Sequence, residues 1–379
     1  MVHSGEEYFV QLVKIIDNAT QELHLQTYHF ENDTTGKTIT AALIAAAQRK
    51  VKIFVLLDGF GSNTIDNEFI KTLSGQGIHI RFFSPLFSAN SFYLGRRLHH
   101  KIVVADNRTT LIGGINIADK YSGIQGVAPW LDYAIKIENT ALATSVQLLC
   151  HNIYDNKKRF HNQDIKKSFQ LNEGTSIKIS RNDWLKRVTD ISKSYIHEIR
   201  NAEKEIVIIG SYFLPGRRLI QALKTAAKKG VKIKLILAGL SDLELVKRST
   251  SFLYATLLEQ KIELYEWNGS ILHAKVAIID HKWTTIGSFN INHLSSYGSI
   301  EMNVEIQSTK FANDFEHELT SIIQQCVPIT LETIKFKNGL FTNLINWVAY
   351  RTTRFILIVL TYVPYNRFHS HQLFKLILL

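Results

Sequence analysis

A chain of 379 residues with 45% hydrophobic and 20% charged side chains is long enough for two core-forming units and too apolar for extensive disorder. Two cysteines, Cys150 and Cys326, exclude a disulfide scaffold and fit a reduced, intracellular setting. The formal net charge of +11 favours a polyanionic partner, nucleic acid or an anionic membrane surface, without choosing between them.

The N-terminal "MVHSGEEYFVQLVKIIDNAT" lacks the charged start, apolar block and small-residue cleavage site of a secretory signal. Its apolar spacing predicts a helix near 5–18. "ELHLQTYHF" (22–30) reads as a strand. "AALIAAAQRKVKIFVLLDGFGS" (41–62) has alanines at helical spacing, a basic end, and Val-Lys-Ile opening a buried strand. Its "GFGS" lacks a phosphate-loop or dinucleotide fingerprint and reads as a tight turn near a cleft. Another strand, "GIHIRFF" (77–83), leads to "RRLHHKIVVADNRTTLIGGINIADKY" (96–121).

The second half repeats this order. A helix near 183–201 precedes "EIVIIGSYF" (205–213), "QALKTAAKKGVKIKLILAGLSD" (221–242), "KIELYEW" (261–267) and "LHAKVAIIDHKWTTIGSFNINHL" (272–294). Matching order throughout signals an internal duplication. The expected fold is α/β, with two repeated lobes, each a mixed sheet flanked by helices, packed about an approximate two-fold axis. The lobes are placed at 1–160 and 161–328, the boundary falling within the polar 156–176, and a basic tail at 329–379.

Aligning the echoes sets His99 opposite His273, His100 opposite Ala274, Lys101 opposite Lys275 and Asp106 opposite Asp280. Gly113-Gly114-Ile115-Asn116 then matches Gly287-Ser288-Phe289-Asn290. His100 is therefore the dispensable neighbour, and His99 is the residue to explain. One His-x-Lys is usually a solvated strand end; two, each followed by Asp and by Gly-Gly/Ser-x-Asn at the same spacing, are not. Alternate strand residues share a face, so each His projects with its Lys.

These paired motifs resemble the phospholipase D superfamily, and within it the bacterial cardiolipin synthases of the short type without N-terminal transmembrane helices. The resemblance covers about residues 5–327 and includes "LLDGFGS" (56–62), "WLDYAIKIEN" (130–139) and "GSFNINHLSSYGSIEMNVEI" (287–306). It implies a covalent phosphohistidine on His99, with His273 as general acid and base, although near-symmetry leaves the reverse assignment open. Lys101 and Lys275, supported by Asn116, Asn290, Ser288 and Gly114, would neutralise the phosphate oxygens, with no metal or other cofactor. Asp132 is the expected carboxylate for His99, and Glu301, or Glu305 in its place, for His273. Asp106 and Asp280 complete the catalytic motif and read as structural supports.

From Ile329 the chain leaves the repeat. "LFTNLINWVAYRTTRFILIVLTYVPYNRF" mixes aromatic, aliphatic and basic residues, and its unbroken apolar run, Phe355–Val363, is about half of the roughly 20 residues a bilayer demands. Six basic residues against Glu332 predict an interfacial helix pair on anionic lipid, or one packed on the lobes, or both. His369 and His371 lack ligand partners in sequence and carry no metal reading.

The resemblance implies a phosphatidyltransferase making cardiolipin from phosphatidylglycerol, with phosphatidylethanolamine an open alternative donor. It places the protein in the cytoplasm, peripherally on the inner membrane, with anionic phospholipids and no nucleic acid as partners. Phospholipid hydrolysis is the same first half-reaction, and a superfamily nuclease is the alternative that would use the basic charge on DNA.

Overall fold

The computed structural model describes residues 1–85, 87–88, 91–92, 96–156, 168–172, 174–183, 186–337, 339–362 and 368–369. These form three sheets, of seven, eleven and three strands, and the two large ones build the lobes. The first lobe contains α1 (Glu6–Asp17), β1 (Glu22–Thr27), α2 (Thr34–Gln48), β2 (Lys52–Asp58), β3 (His79–Phe83), β4 (Lys101–Ala105), β5 (Thr109–Gly113), β6 (Tyr133–Glu138) and α3 (Thr140–Tyr154). The second contains β7 (Thr175–Asp183), α4 (Asp190–Asn201), β8 (Glu205–Gly210), α5 (Arg217–Lys228), β9 (Lys232–Ala238), β10 (Glu263–Trp267), β11 (Lys275–Ile279), β12 (Trp283–Gly287), β13 (Ser299–Gln307) and α6 (Thr309–Gln325).

The duplication read from sequence is repeated in topology. The first sheet runs β6-β5-β4-β1-β2-β3 and the second β13-β12-β11-β8-β9-β10. In both, the two pairs at the β3 or β10 end are parallel and the others antiparallel. In the Val-Lys-Ile runs the valines and isoleucines are buried beneath α2 and α5 while Lys52 and Lys232 stay exposed, and each strand becomes buried on both faces only farther along, at residues 55–57 and 235–237. The expected helix near 183–201 starts only at Asp190, because residues through Asp183 extend β7 along β13. The expected lobe boundary falls largely outside the described residues.

The lobes share a core rather than merely touching. Ile135 and Ile137 of the first sheet and Leu142 and Val146 of α3 pack in one apolar layer with Ile300, Met302 and Val304 of β13. A second shared layer sets Tyr133 against Val276 and against Phe315 of α6. Burying such apolar side chains from both lobes contributes about 1.5–3 kcal/mol for each large residue. The interface therefore fixes side-chain positions across the cleft.

The tail does not leave the fold at residue 329. Val327–Ile329 pairs antiparallel with β10, and Ile329 is buried in the second core. Beyond it, α7 (Leu340–Tyr362) lies on the second lobe with Asn346, Ala349 and Thr353 buried, and the Ser249 hydroxyl donates to Thr353 Oγ1 at 2.8 Å. The opposite face leaves Phe341, Leu344, Trp347, Val348, Phe355 and Ile356 exposed. No helix among the described residues is long and apolar enough to cross a membrane. His369 lies in a short strand, Phe368–His369, and His371 lies outside the described residues.

Candidate active site

His99 occupies the crossing between two sheets. Arg97–Leu98 pairs in parallel with Ser299–Ile300 of the second sheet, whereas Lys101 already begins β4 of the first. Its backbone N–H donates to the Ile300 carbonyl at 2.9 Å. The buried Asp58 fastens this approach, accepting from Leu98 N at 2.7 Å and from Phe60 and Gly61 in the "GFGS" turn at 2.9 and 3.0 Å. His273 repeats the arrangement in mirror roles. Leu272 bridges Leu131, and His273 N–H donates to the Leu131 carbonyl at 2.9 Å.

The carboxylates cross over, which corrects the expected pairing. Glu301 Oε2 lies 2.8 Å from His99 Nδ1, and Asp132 Oδ2 lies 2.6 Å from His273 Nδ1. Each imidazole is thus held by the acid of the opposite lobe, because each motif histidine is hydrogen-bonded to the strand end carrying the other lobe's acid. Glu305 does not stand in for Glu301; it pairs with Lys178 at 3.1 Å. Among the described residues neither histidine Nε2 has a hydrogen-bond partner, so both are available to a ligand.

The residues flanking these acids differ between copies. Ser288, expected beside phosphate, instead donates its hydroxyl to Glu301 Oε2 at 2.5 Å. At the equivalent Gly114, a Cβ would stand 2.3 Å from Asp132 Oδ1, so glycine makes room for the carboxylate. Asn116 Nδ2 donates to the Tyr121 hydroxyl at 2.8 Å, and its oxygen accepts from His29 N. Asn290 accepts from Ser211 Oγ at 3.0 Å. Both asparagines are buried and brace the loops behind the histidines.

Lys101 and Lys275 are buried beside the two rings. Lys101 Nζ donates to the His99 carbonyl at 2.9 Å and sits 5.3 Å from the Tyr28 ring centre. Lys275 Nζ lies 3.0 Å from His273 Nδ1 and 3.8 Å from Asp132. Burial pulls the Lys101 ammonium down to about 7, opposed by Glu301, and lowers Lys275 as well. Burial also lowers His99, with Glu301 opposing and Lys101 adding, and drives His273 well below its ordinary value, with Lys275, Lys101 and His99 adding. Asp132 is pushed up to about 7 by burial, against the pull of Lys275. Because Leu98 pairs beside Ile300 and Leu272 bridges Leu131, and each ring meets the other lobe's acid, both His-x-Lys units lie at the seam between the lobes.

Asp106 and Asp280 are not at the cleft. Each begins a tight hairpin turn with positive φ at two successive residues, 53° and 52° at Asp106-Asn107 and 54° and 57° at Asp280-His281. Asp106 accepts the backbone N–H groups of Thr20, Gln21 and Glu22, and Asp280 those of Glu203, Lys204 and Glu205. At about 3.3 Å per strand residue they lie roughly 20 Å from the histidines. They clamp the start of β1 and β8, as structural supports, and do not touch a reacting atom. His100 is wholly buried, with Nδ1 3.1 Å from Gln26 Oε1, and belongs to the core.

An aromatic wall escaped sequence reasoning. Tyr28 meets His99 edge-on at 5.1 Å between ring centres, while Tyr121, Trp130 and Tyr212 surround His273 at 5.3, 5.8 and 6.2 Å. Tyr212 is held by Asp242 at 2.8 Å, and Lys120 lies 5.2 Å from the Trp130 ring centre. The available signal was position alone: Tyr28 and Tyr212 both lie just beyond the ends of β1 and β8, and Trp130 sits two residues before Asp132. Two imidazoles with free Nε2 atoms, two buried lysines and opposed carboxylates form a site able to transfer a phosphoryl-type group through a covalent histidine adduct.

Comparison with known proteins bears on the same residues. The family model described as "Cardiolipin synthase, PLD-like domain" matches residues 12–154 and 195–323. Cardiolipin synthase B of Escherichia coli (strain K12) is 33% identical over 332 residues, covering 85% of this chain and 79% of that protein. Cardiolipin synthase 1 of Bacillus anthracis is 26% identical over 335 residues, covering 84% and 64%. Among solved structures, phosphatidylserine synthase from Haemophilus influenzae Rd KW20 superposes with a TM-score of 0.74 over 95% of this chain and 94% of that one, at 16% identity. Polyphosphate kinase from Porphyromonas gingivalis gives 0.53 over 80% and 47%, at 17% identity. At these identities the structural likeness speaks for the fold.

Proposed function

The chain belongs to the cardiolipin synthase family of PLD-like domain proteins, and from that premise we propose that it is a phosphatidyltransferase joining two phosphatidylglycerol molecules into cardiolipin. The observation that carries the chemistry is the crossed pair of carboxylates, which fixes both imidazoles by Nδ1 and leaves both Nε2 atoms for substrate.

His99 Nε2 attacks the phosphorus of the first phosphatidylglycerol. The phosphorus–oxygen bond to the headgroup glycerol breaks, and the departing oxygen takes its proton from His273. Phosphatidyl-His99 and free glycerol result. The headgroup hydroxyl of a second phosphatidylglycerol then gives its proton to His273 as its oxygen attacks phosphorus. The phosphorus–nitrogen bond breaks, cardiolipin leaves, and both histidines return to their starting states. Burial keeps His99 neutral and nucleophilic. An anionic phosphodiester offsets the lysine charges that disfavour the His273 imidazolium, and Asp132 then supports it. Lys101 and Lys275 neutralise the non-bridging oxygens, a task given elsewhere to metal ions. Water in place of the second lipid gives phosphatidic acid, a hydrolytic side reaction. The test is product analysis by mass spectrometry on vesicles of phosphatidylglycerol alone and mixed with phosphatidylethanolamine. Cardiolipin from the former, persisting in EDTA, supports the reading; cleavage of DNA without any lipid product overturns it.

The buried Lys101 sets a pH limit. Its ammonium is present below about pH 7 and lost above it. kcat/KM, which reports the free enzyme, is expected to fall on the alkaline side of that value. In Lys101→Arg the guanidinium stays charged, so the alkaline limb moves several pH units upward whatever the fall in absolute rate. A limb unmoved by this substitution would assign it to another group.

The outer face of α7 supplies the membrane contact in this proposal, beside Arg351 and Arg354. Fully burying a large apolar side chain is worth about 1.5–3 kcal/mol. Phe341, Trp347 and Phe355 are 75%, 42% and 67% exposed and would enter the interface only in part, so about 1 kcal/mol each, lost together in the triple serine variant, is expected to weaken binding to phosphatidylglycerol vesicles on the order of a hundredfold. Because these side chains are exposed, thermal unfolding stays unchanged; undiminished vesicle binding in a cosedimentation assay would remove α7 from the membrane contact.

A further inference from the structure

The end of the first lobe farthest from the cleft gathers a second set of ionisable side chains. Glu22 and His24 alternate on β1 and share a face, and His151 on α3 lies over that face. His24 Nε2 is 2.8 Å from Glu22 Oε1, and His151 Nε2 is 3.9 Å from the same oxygen. One ligand atom from each residue lies within 4.8 Å of the other two. A zinc ion bound at its usual bond lengths needs ligand atoms roughly 3.4 Å apart. The cluster closes on such an ion with a shift of little more than a bond length.

The rings are already placed for it. His24 is buried and stacks on Phe54 at 4.8 Å, and the His151 ring stands 5.0 Å from both. His151 Nδ1 is buried without a hydrogen-bond partner, 3.7 Å from Asp155 Oδ2. With Nε2 on a metal, Nδ1–H would point toward that carboxylate, the arrangement that commonly holds zinc-binding histidines in place.

The duplicated frame provides an internal comparison. Glu205 takes the place of Glu22 at the start of β8, and Lys234 Nζ pairs with it at 2.8 Å. In the first lobe Phe54 stands at the lysine's position, His24 where the second lobe has Val207, and His151 where it has Thr320, aligned on the helix caps Asn139 and Ser308. One copy meets its carboxylate with a fixed ammonium; the other presents two imidazoles, with the uncharged Gln147 amide donating to the same Glu22 oxygen at 2.9 Å. Glu205, His281 and Glu316 also lie near one another, but Lys234 already neutralises that group.

We propose that Glu22, His24 and His151 form a zinc-binding site, with water in the fourth position, that ties β1 to α3. It lies apart from the transfer chemistry: Thr27, at the other end of β1, is the residue paired with Lys101. The test is zinc content and affinity of the purified full-length chain, by elemental analysis after dialysis and by competition with a chromophoric chelator. The wild-type chain and Glu316→Gln are expected to retain stoichiometric zinc. His24→Gln and His151→Gln are expected to lose it, affinity falling by more than about 100-fold, the upper end of what removing a group that only orients a ligand costs. His151 is part-exposed on a helix, so its variant decides the matter if the buried His24 substitution prevents folding. A wild-type chain that holds no zinc, or a His151→Gln chain that holds it undiminished, overturns the proposal.

Discussion

His99→Ala is expected to abolish cardiolipin formation, with kcat falling by at least about 10⁴-fold, the scale of a lost covalent nucleophile. The physical reason is that a transfer through a covalent adduct needs one imidazole to bond phosphorus and the other to carry the proton of the leaving glycerol, and in this proposal His99, held at Nδ1 by Glu301, is the first. His273 has an equally free nitrogen, but it is the proton carrier and cannot hold the adduct in the same step. The distinguishing measurement is a rapid acid-free quench with radiolabelled phosphatidylglycerol. The unaltered enzyme should carry label on His99 that is lost on mild acid treatment, and the alanine variant should carry none. Label on His273 in both would exchange the two roles.

The second large effect separates the two carboxylates. Asp132→Asn and Glu301→Gln should each lower kcat by about 10²–10⁴-fold, since an amide favours the wrong tautomer of the imidazole it faces. Their response to the leaving group should differ. Asp132 holds His273, whose proton is required by a poor leaving group such as glycerol and is dispensable for p-nitrophenol. A p-nitrophenyl phosphodiester should therefore restore much of the first-step rate in Asp132→Asn and little in Glu301→Gln, because Glu301 holds the nucleophile. Equal restoration in both would break the assignment of acid and nucleophile.

Much of this site was legible because the chain wrote it twice. His99 and His273 stood out from His100 only through the echo at Ala274, and the repeated Val-Lys-Ile units marked equivalent helix–strand pairs in the two halves, which hold equivalent places in the two sheets. The partner of each histidine was not legible, and the reading paired each with the acid of its own half. Contacts between residues 202 and 141 positions apart depend on how two finished lobes dock, which no local pattern encodes. Asp132 follows Trp130 in the same lobe as His99, so proximity in sequence favoured the wrong ring. Ser288 was misread for the same reason: its hydroxyl looks free for phosphate until Glu301 is folded over it. The strand Val327–Ile329 carries the second lobe one residue past the expected start of the tail, because Val-Pro-Ile ahead of Thr330 is too short to announce a strand. Only its fit against β10 makes it one.

The hydrogen bonds that run from each motif histidine to the opposite strand have a consequence for how such a chain can change over generations. A duplicated gene usually gains slack, since one copy can decay while its twin keeps working. Here every half donates the acid that its twin's imidazole needs, so damage to either silences both. Redundancy in ancestry has become indivisibility in operation, and the two halves can now vary only as a couple.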